Sequence, residues 1–255
     1  MTYQGSLAQL KEVERLVHEK SAYRFLKDNF YGPETDKDQM LWLNESIHGS
    51  DLAETEKYRI ITATLYVILA HDTHEMIDED KDGRGVSRKG RELTVLAGDY
   101  YSALYYRTMA ELGMTQLLAA LQRGVQKTNT AKTNIYQLHV VTDDDYMEEL
   151  LASSSAIFAE FSSYFKNEEA FTKLACQAIL LKRLEREQHF YEQYGLSTLK
   201  RAYDHGFFVK EAMATFEEWL EQLMDEVKMR IHHLLKTSRP LSDSIHARLN
   251  EMLQR

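Results

Sequence analysis

Proline occupies only two of 255 positions, Pro33 and Pro240. Inside a helix it removes an i→i−4 hydrogen bond and costs about 3 kcal/mol, whereas β proteins use it freely in turns. About two hundred residues without one therefore point to a helical chain. No Asn-Gly or Asp-Gly turn separates alternating apolar strands; Asp82-Gly83 lies in a charged stretch instead. Apolar residues recur with the helical period, as in Leu7, Leu10, Val13 and Val17. A second stripe runs through Met213, Phe216, Leu220, Leu223, Val227, Ile231 and Leu234.

Period and turn residues together predict helices over 38–48, 54–79, 92–112, 114–139, 143–165, 168–194, 196–206, 210–236 and 241–254. Gly32-Pro33, Gly49-Ser50, Asp82 to Gly90, Gly113, Asn167, Gly195 and Ser238-Arg239-Pro240 separate them. No composition shift marks a linker and no solenoid repeat is present. The expected fold class is all-α, one helical domain over 1–255.

Forty acidic residues against 31 basic ones leave a net charge of −9, which argues against a nucleic-acid surface built on bulk electrostatics. A single cysteine, Cys176, cannot form an internal disulfide, so a reducing, cytoplasmic setting is expected. Met1 to Ser6 lacks the basic and apolar regions of a signal peptide. Ile60 to Ala70, the longest apolar segment, is too short to span a bilayer, so no transmembrane segment is expected.

The predicted helix through Tyr58 to Asp78 is apolar all round for three turns, which suits an interior position. It then becomes abruptly acidic: His71, Asp72, His74, Glu75, Asp78, Glu79, Asp80. Carboxylates at a helix C-terminus oppose the macrodipole unless a cation joins them. A loop from Asp82 to Arg91 follows, with Arg84, Arg88, Lys89 and Arg91 as cations suited to phosphate contacts. Next comes Leu93-Thr94-Val95-Leu96-Ala97-Gly98-Asp99-Tyr100-Tyr101-Ser102-Ala103.

Acidic helix end, Arg/Gly loop and "LAGDYY" occur in the order found in trans-prenyl diphosphate synthases. Over roughly Tyr58 to Phe165 the chain resembles that family, and within it the non-catalytic small subunits (component 1) of heptaprenyl diphosphate synthases. The resemblance implies an isoprenoid-synthase-like fold. It also implies a catalytic component 2 as partner, with which farnesyl diphosphate is extended by isopentenyl diphosphate to a C35 chain for menaquinone. Family catalysis uses Mg²⁺ between diphosphate oxygens and two aspartate-rich clusters, DDxxD and FQxxDDxxD. Here the first cluster is broken. One alignment puts Thr73 and Met76 at aspartate positions; the other reads Glu75, Met76 and Glu79. The candidate second region, Gln188 to Phe208, holds Glu192 and Asp204 but no acidic pair at i, i+4. The family's "KTAxLF" lysine falls on Ser153.

Asp72, Glu75, Asp78 and Glu79 thus stand as a vestigial metal set, and no residue is expected to be catalytic. Mg²⁺ is expected to be held mainly by the partner, with none in the isolated chain. Tyr100 falls on the stripe of Leu93, Leu96, Ala97 and Leu104, whereas its neighbours must point elsewhere. Tyr101, Tyr105 and Leu118 are the expected interface anchors on helices 92–112 and 114–139. Two other readings use the same residues. One is an HD-type phosphohydrolase on His71-Asp72 with His48; the other is a di-iron bundle on Glu45, His48, His71, His74 and Glu75. A homodimeric helical binding protein requires only a dead site.

Overall fold

The computed structural model describes residues 11–19, 24–30, 32–79, 87–137, 139, 142–204 and 215–254. Among these residues every regular element is a helix: α1 (11–19), α2 (Arg24–Asn29), α3 (Lys37–Ile47), α4 (Glu54–Glu79), α5 (Arg88–Glu111), α6 (Thr115–Tyr136), α7 (Asp143–Tyr164), α8 (Glu169–Tyr194), α9 (Thr198–Asp204), α10 (Phe216–Leu235) and α11 (Asp243–Leu253). The all-α expectation holds. Packing divides the chain into two compact units, 1–119 with 242–244 and 120–241 with 245–255. The division falls inside α6, where the sequence shows no change of composition.

Side-chain caps account for several helix starts. Asp36 accepts hydrogen bonds from the Asp38 and Gln39 amides, which α3 cannot satisfy itself. Thr142 and Asp145 form a capping box at α7, each side chain accepting the other's amide. Gly195 ends α8 at φ 71°, a left-handed conformation that L side chains rarely adopt. The sequence pattern assigns Arg88 to Arg91 to a loop. The structure corrects this: Ser87 Oγ accepts the Gly90 amide and starts α5 there.

In the first unit, α4 is buried at every residue from Ile60 to Ala70, as its all-round apolar sequence requires. Tyr66 is wholly buried, and its hydroxyl donates to the carbonyls of Leu16 and Val17 in α1. Val13 and Val17 lie on the buried side of α1; Leu7 and Leu10 lie outside the described residues. α5 runs antiparallel to α4, with Arg59 bound to Glu111 at one end and His74 beside Asp99 at the other. Its buried face is Leu93, Thr94, Ala97, Gly98, Leu104, Tyr105, Thr108 and Met109. Leu96 is 59 % exposed and Tyr105 is 0 % exposed. The buried face is therefore rotated from the expected stripe by about one residue, some 100° of helix. Tyr105 is a core residue whose hydroxyl reaches the Leu118 carbonyl at 3.4 Å, which corrects its assignment as an exposed anchor.

In the second unit, residues 174–181 of α8 are all buried. α7 packs antiparallel on one side, where the hydroxyls of Ser162 and Thr172 lie 2.7 Å apart. α10 packs on another, bringing Phe216 against Tyr191. α6 and α7 approach closely at Gly124: a Cβ there would sit 2.7 Å from Ile157 Cα and 3.0 Å from the Ala156 carbonyl oxygen. Beside this contact, Arg123 and Lys127 both hydrogen-bond Glu160, at 3.0 and 2.7 Å. Arg239 stacks on the buried Phe171 ring at 4.3 Å.

This packing sets the outcome of two substitutions. Gly124→Ala gains about 1 kcal/mol of helix propensity but presses a methyl on backbone, at a cost of about 1–3 kcal/mol. A net loss of stability is expected, read as a lower urea midpoint with unchanged slope. Tyr105→Ala should cost about 3–5 kcal/mol in the same assay, as for truncation of a buried aromatic. An unchanged midpoint would return Tyr105 to the surface.

Candidate functional site

The acidic end of α4 leaves the core gradually. His71, Asp72, His74 and Glu75 are half-buried, whereas Thr73 between them is fully buried. Thr73 stands where one alignment puts the second aspartate. Its hydroxyl faces the interior of the unit and has no described hydrogen-bond partner. A carboxylate there would carry a desolvation cost that a neutral hydroxyl avoids. In the other alignment Glu75 and Met76 are half-buried. The side chains of Asp78 and Glu79 lie outside what is described. Among the described residues no three His, Cys, Asp or Glu side chains converge as a metal site. The described residues do not fit a Mg²⁺–diphosphate cluster.

Arg84 lies outside the described residues. Arg88, Lys89 and Arg91 are exposed around the first turn of α5. Cations at a helix N-terminus oppose the macrodipole, although the backbone amides there favour an anion. Arg88 is engaged along its own helix, donating to Glu92 at 2.9 Å. The turn can attract an anion, but among described side chains it has no rigid phosphate cradle.

The glycine and aspartate of "LAGDYY" have a local explanation that the sequence pattern does not reveal. The His74 ring lies on Gly98, where a Cβ would come within 2.5 Å of Cε1 and Nε2. The same Nε2 lies 3.7 Å from Asp99 Oδ1. Gly98 is what lets the His74 imidazole fold over α5. A mid-helix glycine is the available signal, because glycine there costs about 1 kcal/mol unless close packing requires it.

Ser153, at the lysine position, is buried and donates to the Leu150 carbonyl. Ser154 bonds the same carbonyl and Ser155 that of Leu151. These hydroxyls are satisfied within α7 and present no charge. Burial pushes the neighbouring Cys176 thiol up to about 11, the Ser155 hydrogen bond only partly opposing it. Within Gln188 to Phe208, Glu192 is exposed, Asp204 pairs with Lys200, and 205–208 lie outside the described residues. On the buried face of α8, Gln177 is followed at i+3, i+4 and i+7 by Leu180, Leu181 and Leu184. All three leucines are fully buried, and the Gln177 Oε1 has no described partner. No described alignment supplies a second acidic cluster. The phosphohydrolase and di-iron readings lack a converged ligand set as well, with His48 exposed at the end of α3.

Two solved structures show the fold. A decaprenyl diphosphate synthase from Rhodobacter capsulatus is 13 % identical with a TM-score of 0.65, covering 98 % of this chain and 96 % of that one. A geranylgeranyl pyrophosphate synthase from Lactobacillus brevis, also 13 % identical, has a TM-score of 0.64 over 98 % and 96 %. The isoprenoid-synthase-like architecture is thereby established. In sequence the chain is 29 % identical to heptaprenyl diphosphate synthase component 1 of Geobacillus stearothermophilus, over 60 % of this chain and 67 % of that protein. The family model for heptaprenyl diphosphate synthase subunit 1 matches residues 23–236. The chain thus belongs to the heptaprenyl diphosphate synthase subunit 1 family.

Proposed function

We propose that this protein is the non-catalytic, regulatory subunit of a two-component, cytoplasmic heptaprenyl diphosphate synthase. Its catalytic partner, component 2, holds Mg²⁺ and the diphosphates, and the pair extends farnesyl diphosphate to a C35 chain destined for menaquinone. One observation carries the reading: the described residues supply buried Thr73 at a candidate aspartate position and back-bonded Ser153 at the candidate lysine position. Ionising an allylic diphosphate requires cations and metal-bound carboxylates at the leaving oxygens. A chain with those positions neutral serves a partner by docking on it and shaping the product. Half-buried Tyr101 and Leu118 keep their place as candidate contacts, whereas core-packed Tyr105 does not.

The isolated chain should show no turnover of farnesyl and isopentenyl diphosphates with Mg²⁺. Adding component 2 should produce C35, quantified by chromatography of radiolabelled product. Turnover by the pure chain overturns the non-catalytic reading. A component 2 that makes C35 equally well alone overturns the subunit reading.

Elemental analysis of the protein as purified separates this reading from a metallohydrolase. No stoichiometric transition metal is expected, and His71→Ala or Asp72→Ala should leave the metal content unchanged. One or two tightly bound ions, lost in either variant, would restore the phosphohydrolase.

A further inference from the structure

We draw no further inference here: the strongest candidate, the surface patch that exposed Tyr194 and Leu196 form with Phe190 where α8 ends at Gly195, carries nothing because nothing in the structure shows what covers it.

Discussion

The eleven consecutive residues from Ile60 to Ala70 are all buried, and a helix without a solvent face must be enclosed on every side. That requirement organises the first unit. α1 is tied to α4 through the Tyr66 hydroxyl, and α5 lies along it from Arg59–Glu111 to His74–Asp99. The polar atoms that enter this interior are handled locally where possible, as when Thr64 donates to the Ile60 carbonyl. α8 has the same role in the second unit, buried from 174 to 181 between α7 and α10. Each unit is thus arranged around one fully enclosed helix.

The same constraint bears on the chemistry. Carboxylates facing such an interior are tolerable only when cations or metal ions neutralise them. Leu180, Leu181 and Leu184 of α8 contribute about 1.5–3 kcal/mol each by burial, and the buried Thr73 of α4 brings no charge. A face built to hold metal and diphosphate and a face packed as core are alternatives at these positions. Thr73 and the three leucines are packed as core.

The residues that remain distinctive lie at the edge of the core. Gly98 lets the His74 imidazole rest on α5, which brings Asp99 into reach of the imidazole. The opposite side of the helix then presents Leu96, Ala103 and Tyr106 to solvent. The "LAGDYY" segment therefore serves the fold on one face and leaves the other exposed to solvent.

Local interactions are legible in the amino-acid sequence itself. Caps, periodicity and breakers act over one to four residues, so Thr142 with Asp145, Gly195 and the enclosed character of α4 can be read directly. The break in the first acidic cluster is equally plain, since residue types at fixed spacing need no coordinates. The start of α5 escapes such a reading because Arg88 to Arg91 carries glycine and charge, while one serine hydroxyl bonding an amide suffices to begin the helix. Rotation about a helix axis is a different kind of quantity. One residue turns a side chain by about 100°, so whether Tyr105 or Leu96 goes inward depends on where α4 lies. A stripe with apolar residues on both sides satisfies either choice, and only tertiary packing selects the face. The sequence alone determined that the chain is helical, with one helix buried all round and a broken acidic cluster at its end. Tertiary structure alone decided that Tyr105 packs inside, that His74 covers Gly98, and that Leu96 and Tyr106 stay outside, because those outcomes depend on neighbours distant in the chain.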